Sequence, residues 1–81
     1  MTINYKGGDS RIAEISYRDE EEMELIERMV FFLNRIKGWE LINATAGWAY
    51  CEVEDRAQYE DFKKDYKTAK KMISNCLKFG F

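Results

Sequence analysis

The chain has 81 residues, with 13 Lys or Arg, 15 Asp or Glu and a formal net charge of −2, which is the size of one small domain. With 46% hydrophobic residues, 15% aromatic residues and no proline, the composition is typical of a globular fold and excludes a disordered or fibrous chain. The absence of histidine excludes a Ser-His or Cys-His nucleophile pair, and two cysteines cannot form a four-ligand Cys/His zinc site.

Two short segments near the start of the chain alternate apolar and polar residues. Residues 2–6 and 11–17 have this alternation, which predicts two strands. Gly7-Gly8-Asp9-Ser10 between them is typical of a turn, because glycine adopts positive φ without strain. An antiparallel hairpin is therefore expected.

A helix is predicted over residues 20–37. Asp19, followed three residues later by Glu22, is a capping-box arrangement at its start, and Gly38 is the expected left-handed residue after its end. Its apolar face is expected to consist of Leu25, Ile26, Met29, Val30, Phe32, Leu33 and Ile36.

The second half of the chain repeats this order. Residues 39–46 and 48–54 are rich in strand-forming residues on either side of Gly47. Asp55 and Gln58 then predict the start of a helix over residues 56–78. Its apolar face is expected to consist of Phe62, Tyr66, Ala69, Met72, Ile73, Cys76 and Leu77.

These elements predict a single α+β domain over residues 1–81, a two-layer ββαββα fold with two helices packed on one face of an antiparallel sheet. The other sheet face is expected to stay partly open to solvent or a partner. The core is expected to include Ile26, Met29, Val30, Leu33, Phe62, Tyr66 and Ile73. A weak similarity between the halves, Ala13-Glu14-Ile15 against Cys51-Glu52-Val53, makes an internal duplication a hypothesis.

Acidic residues cluster at the start of the first predicted helix. They are Asp19, Glu20, Glu21 and Glu22, with Glu24 and Glu27 one and two turns further on. One or two carboxylates stabilise a first helical turn through the helix dipole. The excess has two interpretations: a solvated helix start, or a surface that binds a basic partner or imitates nucleic acid.

The second predicted helix carries a face of lysines. Residues 62–81 have a net charge of +5, whereas residues 1–61 have a net charge of −7. This lysine face has two interpretations: a surface that binds phosphates or an acidic protein, or an ordinary solvated helix face. Its members are Lys63, Lys64, Lys67, Lys70, Lys71 and Lys78.

Several aromatic residues are candidates for binding. Phe31 falls on the polar side of the first helix, and Trp39 and Trp48 each follow a glycine. Trp and Tyr are enriched in binding hot spots, although filling the core is the ordinary role of both tryptophans. The C-terminal residues 79–81 are interpreted as a tail folded onto the sheet or a docking peptide.

The cysteines and the N-terminus indicate a reducing compartment. Residues 1–6 lack the apolar run of a signal peptide, and no stretch approaches the ~18 apolar residues that span a bilayer. A cytoplasmic protein with Cys51 and Cys76 unpaired is therefore expected, with no membrane partner.

The function predicted from these features is a non-enzymatic protein-binding module. We expect an inhibitor or adaptor, of the kind that phages and mobile elements encode, acting on a nucleic-acid-handling protein. The alternatives are a nucleic-acid binder that uses the lysine face, although the negative net charge disfavours free nucleic acid, and a structural homo-oligomer such as a homodimer. No cofactor or metal is expected. The candidate partner-binding residues are Glu20, Glu21, Glu24, Glu27, Phe31, Trp48, Lys63, Lys67, Lys70 and Lys71.

Overall fold

The computed structural model describes residues 2–8 and 10–79, with side chains up to residue 75. The predicted ββαββα order is confirmed. Each observed strand is shorter than predicted, and the second helix extends one residue further than predicted. The elements are β1 (Ile3–Lys6), β2 (Ile12–Ser16), α1 (Glu20–Lys37), β3 (Leu41–Thr45), β4 (Trp48–Glu52) and α2 (Arg56–Phe79).

The four strands form one antiparallel sheet in the order β1-β2-β4-β3. The two hairpins meet through β2 and β4, so β1 and β3 are the edge strands. In the central pair, Ala13 faces Cys51 and Ile15 faces Ala49, and all four side chains are fully buried under the helices. The predicted two-layer arrangement, with both helices on one sheet face, is confirmed.

The β3–β4 hairpin closes through a two-residue loop, Ala46 and Gly47. Both residues have positive φ, 51° and 81°, as a tight hairpin turn that matches the twist of its strands requires. The Tyr17 N–H donates to the Gly47 carbonyl oxygen at 2.8 Å. A Cβ added at Gly47 would lie 3.3 Å from the Tyr17 carbonyl oxygen, so this position also favours glycine sterically.

Both predicted helix starts are confirmed. Asp19 Oδ1 accepts a hydrogen bond from the Glu22 N–H at 2.9 Å, and Asp55 Oδ1 accepts from the Gln58 N–H at 2.9 Å. The Glu22 carboxylate accepts a hydrogen bond at 2.7 Å from the N–H of Arg18, the residue before the cap residue Asp19. In the same way, the Gln58 side-chain oxygen accepts a hydrogen bond from the Glu54 N–H, one residue before Asp55. Both helices therefore begin with the same closed hydrogen-bonding arrangement.

The seven residues predicted for the core are all buried. Two other assignments were wrong: Ile36 is 61% exposed and Met72 is 46% exposed. On each helix the buried residues lie within about 60° of a central position, Ile26 or Phe62, whereas Ile36 and Met72 lie about 80° away. On α1, however, Leu25 and Phe32 lie about 100° and 120° from Ile26 and are still half-buried against the core, so the exposure of Ile36 follows from its place in the last turn of the helix rather than from its angle alone.

The two halves of the chain are related by an approximate two-fold axis. The Tyr17 N–H bonds to the Gly47 carbonyl at 2.8 Å, and the Val53 N–H bonds to the Arg11 carbonyl at 3.0 Å. The two donors, Tyr17 and Val53, are 36 positions apart, and so are the two acceptors, Arg11 and Gly47. The two cap residues, Asp19 and Asp55, have the same separation. In the structure, residues 13–15 are equivalent to residues 49–51. The sequence similarity between residues 13–15 and 51–53 therefore aligned the two halves two positions away from their structural equivalence.

Within residues 2–8 and 10–79, no helix combines the length and the apolar character that crossing a bilayer requires.

Candidate functional site

One face of α1 carries a row of carboxylates that ends in an exposed phenylalanine. Glu20, Glu24, Glu27 and Phe31 recur at helical spacing, so they form one stripe, and all four are exposed. We call this row the α1 stripe. Glu21, which was also predicted to bind a partner, is exposed but lies about 100° around the helix from Glu20.

The carboxylates of the α1 stripe differ from Glu22, which stabilises the helix start. Glu22 pairs with the Arg18 guanidinium at 3.0 Å, and the hydrogen bond from the Arg18 N–H lowers the pKa of its carboxyl group. Among the described residues, no ion pair involves Glu20, Glu24 or Glu27. Their charge is therefore available to a partner.

Phe31 lies at a groove between α1 and the edge strand β3, which we call the β3 groove. The Phe31 side chain is 67% exposed, whereas Val30 and Trp39 in the same groove are buried and Leu41 is half-buried. The rim carries carboxylates, since the remaining lining residues are Glu27, Asn34 and Glu40. The groove therefore has an apolar floor and an acidic rim.

Trp39 is part of the core, in agreement with the ordinary role considered for it. Its indole N–H donates to Asp65 Oδ2 at 3.2 Å, and its ring packs edge-to-face on Phe62 with 5.2 Å between ring centroids. These contacts fix the α1–β3 connection against α2. Trp39 therefore joins the floor of the β3 groove to α2.

Trp48 lies on a different surface from Phe31. It pairs with Ser16 and Thr45, on the sheet face opposite both helices, because its neighbour Ala49 faces the core. Tyr50, which sequence reasoning did not select, lies on the same face and is also half-buried. The predicted binding residues are thus distributed over separate surfaces.

The lysines of α2 form an exposed surface. Lys63 Nζ lies 3.2 Å from Glu60 Oε2 and 5.4 Å from the centroid of the Tyr59 ring. Lys67 and Lys70 lie along the same side of the helix, while Lys64 and Lys71 lie further from the sheet. Lys78 and the C-terminal tail lie outside the residues whose side chains are described.

A second groove lies between α2 and the other edge strand, β1, and we call it the β1 groove. Its lining residues are Thr2, Ile3, Lys63, Tyr66, Lys67 and Lys70. The two-fold relation pairs the helix sides of the two grooves: Lys63 corresponds to Glu27, Lys67 to Phe31 and Lys70 to Asn34. A groove therefore occurs at two equivalent places, once with an acidic rim and once with a basic rim.

Cys51 is an unpaired, fully buried cysteine, and burial raises the pKa of its thiol to about 12. A protonated, inaccessible thiol is a poor nucleophile. Cys76 lies outside the residues whose side chains are described.

Comparisons of the chain with protein-family models, with curated proteins and with solved structures found no match. The function is therefore inferred from the surfaces of the molecule alone.

Proposed function

We propose that the chain is a non-enzymatic protein-binding module that binds its partner through the α1 stripe and the β3 groove. The observation that carries this proposal is Phe31, which is 67% exposed at an apolar groove beside carboxylates that make no ion pair among the described residues. Burying an exposed aromatic side chain against a partner stabilises a complex by about 1.5–3 kcal/mol. Aromatic residues near the centre of an interface often dominate its affinity.

The chemistry of this surface defines the partner that fits it. A matching protein presents Lys or Arg side chains around an apolar pocket that accepts Phe31. The carboxylates accelerate association with such a surface through long-range attraction. Proteins that handle nucleic acid carry basic surfaces of this kind because they bind phosphates. The chain then acts as an inhibitor or adaptor of such a protein.

The lysines of α2 support a second candidate function, binding of nucleic acid. Lys67 and Lys70 are exposed, and among the described residues neither has an ion-pair partner. Lys63 is partly neutralised by Glu60 at 3.2 Å. The net charge of −2 opposes association with a polyanion, so the protein-binding function is the better supported.

The test is a pull-down from nuclease-treated lysate of the native host. We expect Phe31→Asp and the double variant Glu24→Gln/Glu27→Gln to lose at least tenfold of the partner that the wild type retains. Ile36→Asp and Glu21→Gln are matched controls, because both residues are exposed but lie off the α1 stripe. Equal retention by wild type and stripe variants would contradict the proposal.

A gel-shift experiment tests the second candidate. Wild-type protein is expected not to retard DNA or RNA at about 150 mM salt, where exposed charges are screened beyond ~8 Å. Retardation that disappears in Lys67→Gln/Lys70→Gln would assign the function to the lysines instead.

A further inference from the structure

We infer that the β3 groove and α1 stripe of one molecule bind the β1 groove and α2 lysines of a second copy of the same chain. This inference rests on the proposed function, because it names the partner of the same surface. It predicts a head-to-tail contact in which an acidic surface meets a basic one.

Charge complementarity supports this choice of partner. The α1 stripe offers Glu20, Glu24 and Glu27, each exposed. At the equivalent positions α2 has Arg56, Glu60 and Lys63, and it adds Lys67 and Lys70 further along. The α1 stripe has a net charge of −3, or −4 with Glu40 of the β3 groove, and the named α2 residues have a net charge of +3. Two oppositely charged surfaces on copies of one chain attract each other.

The strand order of the sheet is consistent with this contact. Each groove lies beside an edge strand, at opposite ends of the sheet order β1-β2-β4-β3. When β1 of a second copy lies beside β3, the strand directions continue to alternate, because β1 and β3 run in opposite directions. This arrangement places α2 of the second copy beside α1 of the first, on the same sheet face.

The apolar parts of the grooves match as well. Phe31 is the exposed apolar residue of the β3 groove, and the β1 groove offers the half-buried Ile3, with the buried Tyr66 at its floor. The aliphatic stems of lysines cover aromatic surface while their ammonium groups stay solvated. The Ile3 carbonyl already accepts a hydrogen bond from the Tyr59 hydroxyl at 3.0 Å. The contact therefore depends on the helix flanks and grooves more than on a continuous strand ladder.

A symmetric dimer does not satisfy these surfaces. Pairing two β3 grooves places carboxylates against carboxylates, and pairing two β1 grooves places lysines against lysines, both of which are repulsive. The head-to-tail contact leaves one acidic and one basic surface free at the ends of each complex. Association therefore continues beyond two copies or closes into a ring.

Sedimentation velocity with two blocked variants tests this contact. Glu24→Lys/Glu27→Lys blocks the acidic surface, and Lys67→Glu/Lys70→Glu blocks the basic one. The wild type should show a sedimentation coefficient that rises with protein concentration and falls with added salt. Each variant alone should remain monomeric. Their equimolar mixture should regain association, because the unchanged acidic and basic surfaces of the two variants attract each other and the two reversed surfaces attract each other as well.

A matched control uses Lys64→Glu/Lys71→Glu, which changes the net charge equally but lies about 70–90° around α2 from the midpoint of Lys67 and Lys70. This variant should associate like the wild type. Urea unfolding of each variant confirms that it is folded, and all substituted side chains are exposed.

Three results would overturn the inference: a wild type that stays monomeric at every concentration, blocked variants that each still associate alone, or a mixture that remains monomeric. If the wild type is monomeric but Phe31→Asp loses a lysate protein, the inference fails and the proposed function stands. If Phe31→Asp also retains every lysate protein, both fail.

Discussion

Replacing Leu33 by alanine tests the placement of α1 on the sheet. Leu33 is 3% exposed and belongs to the core, so the variant loses almost the whole burial of its side chain and leaves a cavity. Such changes cost about 2–5 kcal/mol. A domain of this length has a free energy of unfolding of roughly 4–12 kcal/mol. Leu33→Ala should therefore remove a large part of the stability.

Ile36→Ala is the matched control on the same helix. Ile36 is 61% exposed, so truncation loses only about 40% of a burial worth ~1.5–3 kcal/mol, or about 1 kcal/mol. The higher helix propensity of alanine offsets ~0.4 kcal/mol of this loss. The expected net cost is about 0.5 kcal/mol, several times smaller than for Leu33.

Urea unfolding followed by far-UV circular dichroism measures both variants. With a denaturant slope of ~1 kcal/mol per molar, Leu33→Ala should lower the midpoint by about 2 M or more, and Ile36→Ala by about 0.5 M. If the two midpoints fall by the same amount, the rotation of α1 about its axis is not the one described.

Three further predictions concern the helix starts and the buried thiol. Asp19→Ala and Asp55→Ala should each lower the unfolding free energy by ~0.5–2 kcal/mol, since each removes the same side-chain cap, and a loss confined to one variant would contradict the equivalence of the two starts. In a Cys76→Ser background, iodoacetamide at neutral pH should label Cys51 only after unfolding, because its pKa is raised to about 12, and mass spectrometry of labelled native protein would reveal the opposite. Because the fold lowers the pKa of Glu22 below its ordinary value of 4.5, its stabilising effect should be present above that pH and be lost as the pH falls through the folded value. Glu22→Gln should therefore show a smaller loss of stability between neutral and acidic pH, and an unchanged loss would exclude this carboxylate as the cause.

The order of elements was predictable because its signals are local. A capping residue and its partner are three positions apart, and the glycine after α1 is next to the helix end. Such signals are complete within one segment of sequence, whatever the rest of the chain does. The strand order could not be obtained in this way, because the pairing of β2 with β4 joins residues far apart in sequence.

The candidate site was predictable only in part for the same reason. Exposure of the glutamates, of Phe31 and of the described lysines follows from helical spacing, and the structure places them on outward faces. The grooves depend on which strands lie at the sheet edges. Trp39 and Trp48 both follow a glycine, yet one is fixed in the core and the other lies on the opposite sheet face. Residue type and local pattern did not distinguish them.

The two-fold relation allows buried positions, whose residue type the fold constrains, to be compared with exposed positions, whose charge the fold does not constrain. At equivalent buried positions both halves keep apolar side chains, as with Ile26 and Phe62, because the core needs them. At two equivalent exposed positions the charge is reversed, Glu20 against Arg56 and Glu27 against Lys63, whereas Glu24 and Glu60 are both acidic. Stability does not require this reversal, since exposed charges contribute little to it. The differences instead give one molecule two grooves at equivalent places beside the edge strands, one lined by carboxylates and one by lysines, the property that a head-to-tail contact between copies needs.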